Sequence, residues 1–199
     1  MRICVDLNVW VADQLAIANG RRAGSATQVI QAVGAMRAGD VRLQLIVSMQ
    51  MLDNLRTVLI ERLDAGPSQA TAFVEAIEAI VRSGPEQLDP YMIVSGAEKY
   101  AIADREDREV LATAIAGRAS LLVTSNLRHF RTKECETIDT QTVAGKVPRK
   151  LHVQIHQIEG RSLIVADPID VAGWFSLGTP IEPAALRAHY APPTTPGVS

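Results

Sequence analysis

Short, almost uniformly apolar segments recur along the chain, separated by longer segments with helical periodicity. Three of the apolar segments cover about residues 2–6, 43–47 and 121–124. Strands of a parallel sheet that are covered on both faces have this continuous apolar pattern, so the three segments are predicted as parallel strands. The predicted fold class is therefore α/β, a three-layer α/β/α sandwich with a mainly parallel central sheet.

The segments between these strands carry helix signals. Ser25 is predicted to cap a helix that runs to about Arg37, and leucines at positions 52, 55, 59 and 63 trace one face of another. A further helix is predicted to start at Ser68, after a break at residues 66–67. Residues 91–94 suggest a short strand and residues 97–102 a short helix, before a helix that opens in the acidic segment 104–107.

The last quarter of the chain has a different pattern. Residues 150–155 alternate between polar and apolar side chains, which predicts a half-exposed strand, and a turn leads to a second strand at 162–166. Short helices are predicted from Asp167 to Trp174 and at 184–189. We divide the chain into a domain at 1–147, a β-hairpin and short-helix extension at 148–190, and a disordered tail at 191–199.

Polar residues follow two of the predicted parallel strands. Asp6 closes the first strand, while Thr124, Ser125 and Asn126 close the strand that begins at residue 121. Because parallel strands present their carboxyl ends to one crevice, these side chains are expected to meet there. A buried carboxylate such as Asp6 must be compensated, either by a bound cation or by capping a nearby turn. Asn8 would bond to Asp6, contact a substrate, or cap the following helix.

Asp107 is placed by helical periodicity on the same side as the core-facing Val110 and Leu111. A carboxylate at the start of such a stripe points over the sheet edge, or else stabilises the positive end of the helix dipole. Asp104 is the expected N-cap of this helix. Asp53 and Asn54 lie near the start of the helix after the second strand, and periodicity alone does not decide which one faces the crevice.

Composition limits the classes of partner. The chain has 199 residues, a formal net charge of −2 and 47% hydrophobic residues, so it has no overall basic surface for a long nucleic-acid duplex. Arginines near the proposed crevice, including Arg128, are suited to phosphate contacts or are simply solvated. The two cysteines suggest no disulfide framework, and no membrane-spanning or signal segment is evident, so a cytoplasmic location is expected. His129 and His189 are predicted to be surface residues.

Four segments taken together resemble the PIN-domain family: VDLNVWVA, IVSMQMLDNLRTVL, DREDREVLATAIAG and ASLLVTSNLRHF. The resemblance covers about residues 1–130. It implies an α/β/α sandwich whose acidic residues bind Mg²⁺ or Mn²⁺ and hydrolyse RNA phosphodiesters. Bacterial members are often toxins of toxin–antitoxin pairs that a small antitoxin protein holds inactive.

Carried over by position, the family's first and third acids fall on Asp6 and Asp107. Its mid-chain Glu falls on Asn54, with Asp53 as a neighbouring substitute, and its last Asp falls on Asn126. The resemblance therefore implies a site in which the catalytic residues are Asp6, Asp107 and Asn126, the metal ligands are Asp6, Asp107, Asp53 and Asp104, and the substrate contacts are Asn8, Asn54, Thr124, Ser125 and Arg128.

Two functions follow as alternatives. The first is a divalent-metal-dependent endoribonuclease, and the second is a degenerate PIN-like module that binds RNA or a partner protein without cleaving. A phosphatase with Asp6 as its nucleophile would require an acid at Asn8. The C-terminal hairpin either closes an edge of the sheet, pairs two subunits into a homodimer, or binds an antitoxin.

Overall fold

A computed structural model describes residues 1–21, 23–91, 102, 104–144 and 148–192. The strands are β1 (Arg2–Val5), β2 (Arg37–Ala38), β3 (Val41–Arg42), β4 (Gln44–Ile46), β5 (Leu121–Val123), β6 (Glu136–Val143), β7 (Arg149–Ile158) and β8 (Arg161–Ala166). The helices are α1 (Leu7–Ala18), α2 (Ser25–Gly34), α3 (Met49–Leu63), α4 (Pro67–Ser83), α5 (Arg105–Ala116), α6 (Leu127–Phe130), α7 (Pro168–Leu177) and α8 (Pro183–His189).

One six-stranded sheet organises the chain, in the order β4-β1-β5-β8-β7-β6. The first four strands of that order are mutually parallel, and β7 and β6 continue the sheet with antiparallel pairing. The predicted α/β sandwich with a mainly parallel sheet is confirmed. The three predicted strands are β1, β4 and β5, which are almost completely buried because neighbouring elements cover both of their faces.

Several predicted boundaries differ from the structure. Helix α2 ends at Gly34 and does not reach Arg37, because Met36 adopts a left-handed backbone conformation (φ 54°) and the chain enters the small β2–β3 hairpin. Of the predicted strand at 91–94, Tyr91 forms an isolated parallel bridge with Ser48, and the other three residues lie outside the described residues. The predicted helix at 97–102 also lies outside them, apart from the buried Ile102.

The C-terminal hairpin is part of the central sheet. Strand β8 pairs in parallel with β5 and antiparallel with β7, so the hairpin extends the sheet beyond the first three parallel strands. Strand β6, which was not predicted, forms the outer edge and is largely exposed. Hydrogen bonds from Thr140 and Gln141 to Asp170, at 2.9 and 2.6 Å, attach β6 to helix α7 at an irregularity in the β6–β7 register.

The prediction that β7 is half-exposed is correct at the start of the strand, where Lys150 is exposed and His152 is half-buried, and wrong further along it. Gln154 and His156, on its polar face, are 0% and 5% exposed. Gln154 Nε2 donates to the Leu127 carbonyl over 2.7 Å, because α6 lies against this part of the strand. The alternating pattern therefore marks a polar face that is exposed at the start of the strand and buried at Gln154 and His156.

Both cysteines, Cys4 and Cys135, are free, as the sequence indicated. Across the part of the chain that the structure describes, no helix combines the length and the apolar character that crossing a membrane requires.

Gly117 marks a close approach between helix α5 and strand β4. A β-carbon added at Gly117 would overlap the Ile46 side chain, which is fully buried, and would lie 3.1 Å from the Thr113 carbonyl oxygen. We expect Gly117→Ala to lower the free energy of unfolding by about 1–3 kcal/mol, since overpacking of a core has costs of this size. Urea denaturation measures the change.

Gly173→Ala is the matched control for Gly117→Ala. Gly173 lies inside helix α7, and nothing is within 4 Å of a β-carbon added there. Alanine in a helix interior is more favourable than glycine by about 0.5–1 kcal/mol, so this variant should be as stable as wild type or slightly more stable. Equal stability of the two variants would contradict the proposed helix–strand contact.

Candidate functional site

Asp6 and Thr124 meet at the carboxyl ends of two adjacent strands. The register pairs Val5 with Val123, and the next residues of β1 and β5 are Asp6 and Thr124. Asp6 is 5% exposed and Thr124 is fully buried. The Thr124 hydroxyl donates to Asp6 Oδ2 over 2.6 Å, so the strand-end contact predicted from the sequence is present.

Asn8 completes the environment of the Asp6 carboxylate. Its Nδ2 atom lies 2.5 Å from Asp6 Oδ2 and 3.1 Å from Thr124 Oγ1, and donates to both. The Asn8 carbonyl oxygen accepts from the Ser125 backbone N–H over 3.0 Å, and the Asn126 backbone N–H donates to Thr124 Oγ1 over 3.0 Å. The residues that follow β5 are therefore hydrogen-bonded to the residues that follow β1, through side chains of both segments.

Asp107 lies in the first turn of α5 and is 8% exposed, on the core-facing side as predicted. Its Oδ2 atom lies 2.6 Å from His129 Nδ1, and the same ring nitrogen lies 2.7 Å from the Asn126 amide. Asn126 thus belongs both to this group and, through its backbone, to the group around Asp6. We call the whole set the strand-end network; its members are Asp6, Asn8, Asp107, Thr124, Ser125, Asn126 and His129.

His129, which was predicted to be a surface residue, is partly exposed and also belongs to the strand-end network. Its side chain is 33% exposed, but one ring nitrogen contacts Asp107. The residue is in the last turn of the four-residue helix α6. The spacing from Asn126 to His129 is three residues, which puts two polar side chains on one face of a helical turn and is the sequence signal that would have identified it.

Four other predicted site residues lie outside this network. Asp104 is the N-cap of α5, because its Oδ1 atom accepts from the backbone N–H groups of Glu106 and Asp107. Asp53 is exposed and lies 3.3 Å from Arg56, while Asn54 is half-buried and accepts from Gln50 over 3.0 Å. Arg128 is exposed on α6.

The two buried carboxylates oppose each other electrostatically. Burial raises the pKa of Asp6 to about 6, the hydrogen bond from Thr124 counteracts the rise, and the charge of Asp107 adds to it. Burial also raises the pKa of Asp107, and the contact with His129 counteracts that rise. Two desolvated carboxylates at one edge of the sheet favour the binding of a cation there.

The donor set suits a hard divalent cation. In each carboxylate the Oδ2 atom is held by side chains of the network. Mg²⁺ commonly binds proteins through one or two carboxylates and keeps several waters. Within the described ranges, no group of three or more His, Cys, Asp or Glu side chains is arranged to hold a metal ion, so two carboxylates plus water is the set that fits.

The raised pKa of Asp6 makes the stability of the metal-free protein depend on pH. A carboxyl group with an ordinary pKa of about 3.9 when unfolded and about 6 when folded favours folding in its protonated form. This contribution is present below pH 4 and is lost as the pH rises through 6. We expect the free energy of unfolding to fall by roughly 2–3 kcal/mol from this group between pH 4 and 7.

Urea denaturation in the presence of a chelator, compared between wild type and Asp6→Asn, measures this effect. The variant should lack this part of the pH dependence, because an amide does not titrate. An identical pH dependence in both proteins would contradict the assignment of a raised pKa to Asp6.

A mainly parallel sheet with acidic and amide side chains gathered at its carboxyl edge defines an α/β protein whose site is built from strand ends and a helix N-terminus. A family model described as the PIN domain matches residues 2–128, and the chain therefore belongs to the PIN-domain family. PIN domains are typically nucleases and generally use divalent metals. Searches of the curated proteins and of the solved structures found no match.

Proposed function

We propose that this protein is a divalent-metal-dependent endoribonuclease that hydrolyses RNA phosphodiester bonds at the strand-end network. The observation that carries the proposal is the pair of buried carboxylates, Asp6 and Asp107, each with its Oδ2 atom held by neighbouring side chains. Membership of the PIN-domain family supports the same chemistry.

Asp6 and Asp107 are the residues that would hold Mg²⁺ or Mn²⁺. Such an ion supplies charge neutralisation at the phosphodiester and lowers the pKa of a water molecule. Thr124 and Asn8 orient the Asp6 carboxylate, a role that their inward-facing hydrogen bonds support better than direct substrate contact. Asp104 serves the helix as its cap and not the cation.

The substrate side of the site is assigned to more accessible groups. Ser125 and Arg128 are exposed, and Asn126 is half-buried and contacts His129. A guanidinium such as that of Arg128 can contact phosphate oxygens in a bidentate manner, and amide or hydroxyl groups can position the backbone on either side. These neutral and basic groups balance a site whose core is acidic.

Cleavage of a mixed RNA pool by the purified protein tests the proposal. We expect cleavage with Mn²⁺ or Mg²⁺, none after chelation, and little cleavage of single-stranded DNA of the same sequences. Asp107→Asn, purified in the same way, is the control for contaminating ribonucleases. Cleavage that survives chelation, or that is equal in the variant, would contradict the proposal.

Asn54→Glu separates Asn54 from Asp53 as the mid-chain residue of the site. Asn54 lies on the half-buried flank of α3, whereas Asp53 is exposed and contacts Arg56. If Asn54 occupies the ligand position, adding a carboxylate there should strengthen Mn²⁺ binding by roughly tenfold, equivalent to about 1.4 kcal/mol.

Asp53→Asn serves as the comparison for Asn54→Glu, and calorimetry is the measurement. Asp53→Asn should leave the Mn²⁺ affinity unchanged, since the exposed Asp53 side chain is paired with Arg56. A loss of affinity in Asp53→Asn with no gain in Asn54→Glu would assign the position to Asp53.

A non-catalytic PIN-like module that binds RNA or a partner protein is the second candidate. It is favoured by a specific observation: the described residues include no group of three acidic or histidine ligands, and Asn54 and Asn126 stand where the family pattern has acids. This function predicts RNA binding without cleavage under every metal condition. The cleavage assay therefore decides between the two candidates.

The toxin role, a small antitoxin partner and a homodimer rest on the family resemblance. Growth arrest on expression, absent in Asp6→Asn, would support the toxin role. Normal growth with active purified enzyme would argue against it.

A further inference from the structure

We propose that His129 is a positioning residue of the nuclease site, which holds the Asp107 carboxylate in the orientation needed to bind the divalent cation. The inference rests on the proposed function and deepens it by adding a residue from outside the segment 2–128 that the family model matches. The central contact is the 2.6 Å separation between His129 Nδ1 and Asp107 Oδ2.

The Asp107 carboxylate is held through one of its two oxygens. Asp107 is 8% exposed, and its Oδ2 atom contacts His129 Nδ1, which in turn contacts the Asn126 amide. A carboxylate anchored through one oxygen presents the other in a defined direction. Carboxylate ligands of metal ions are commonly held by such a neighbour, and removal of the neighbour lowers metal affinity.

The two contacts of His129 Nδ1 bear on where the imidazole ring carries its proton. Nδ1 cannot donate to the Asp107 carboxylate and at the same time accept from the Asn126 amide. Donation to the carboxylate satisfies the charged group, and it requires the Asn126 amide, whose Nδ2 atom faces the ring, to be turned so that its oxygen faces the same N–H. The contact with Asp107 therefore favours a proton on Nδ1, and Nε2 has no hydrogen-bond partner in the described part of the chain.

The helix that carries His129 is packed against the sheet. Its neighbours Leu127 and Phe130 are 6% and 0% exposed, and the buried Gln154 donates to the Leu127 carbonyl over 2.7 Å. Gln154 belongs to β7, which lies in the C-terminal part of the chain. Strand β7 thus holds α6 through this hydrogen bond, and the imidazole of His129 stays facing Asp107.

The experiment compares three substitutions of His129 by Mn²⁺ calorimetry and RNA cleavage. Asparagine places an amide near the position of Nδ1, glutamine places one near the position of Nε2, and alanine removes both. We expect His129→Ala and His129→Gln to weaken Mn²⁺ binding by about 10–100-fold, and His129→Asn to remain within about threefold of wild type. Rescue by asparagine and not by glutamine identifies the Nδ1 contact as the one that matters.

A spectroscopic measurement on metal-free protein tests the contact without relying on activity. Long-range ¹H–¹⁵N correlation spectra at pH 8 should show His129 protonated at Nδ1, whereas the Nε2-protonated tautomer would overturn the inference. If wild type binds Mn²⁺ and His129→Ala binds it equally well, the inference fails and the proposed function stands. If wild type does not bind Mn²⁺, both fail.

Discussion

Replacement of Asp6 by Asn is expected to lower the rate of RNA cleavage by roughly 100-fold or more while the protein stays folded. The amide keeps an oxygen for the bonds from Thr124 and Asn8, so the local structure can persist. The substitution removes one of the two negative charges of the proposed cation site. Because changes to residues that only support a metal ligand already cost about 10–100-fold, loss of a ligand should cost at least as much. Single-turnover cleavage of a labelled RNA measures the effect.

Thr124→Val is a graded comparison for Asp6→Asn. It preserves shape and removes only the hydroxyl that donates to Asp6 Oδ2 over 2.6 Å. Its effect on cleavage should be smaller than that of Asp6→Asn, because the carboxylate charge remains. Full activity in Asp6→Asn would contradict a role for Asp6 in the reaction, provided that the control Asp107→Asn shows the preparation to be free of other ribonucleases.

Removal of residues 148–199 is expected to prevent the protein from folding. The deletion takes away β7 and β8, and with β8 the neighbour of the central strand β5. It also removes a set of almost completely buried apolar side chains from the core, which includes Val153, Ile155, Ile164, Val165, Val171 and Trp174. Burial of each such side chain contributes about 1.5–3 kcal/mol, and their sum is comparable with the whole stability of a domain, about 5–15 kcal/mol.

Circular dichroism and urea denaturation of the 1–147 chain measure this effect. A chain that ends at residue 192 is the control, since it retains every described strand and helix. It should unfold cooperatively with a midpoint close to that of the full chain. A folded, cooperatively unfolding 1–147 chain would show that the hairpin is dispensable and would contradict the assignment of β8 to the core sheet.

The strands of the central sheet could be predicted because they are buried on both faces. The segments around Ile3, Leu45 and Leu122 are apolar at every position, a pattern that few other environments produce. The meeting of Asp6 with Thr124 followed from the same argument, since the ends of adjacent parallel strands share one edge. Asp107 could be placed because its helix has a clear core-facing side.

The remaining features depend on contacts between segments that are distant in the sequence. Gln154 alternates with apolar neighbours as an exposed residue would, and only the packing of α6 on β7 makes it buried. His129 lies in the four-residue helix α6, whose orientation is set by that same packing. Strand β6 has mostly exposed side chains, so its structure comes from pairing with β7 and not from an apolar pattern of its own.

Calorimetric titration of Mn²⁺ into wild type, Asp6→Asn and Asp107→Asn is the most direct test of a cation site between the two buried carboxylates. We expect wild type to bind one ion per chain. Each variant should lose most of the affinity, with all three proteins folded. No binding by wild type, or equal affinity in all three proteins, would contradict the proposed cation site.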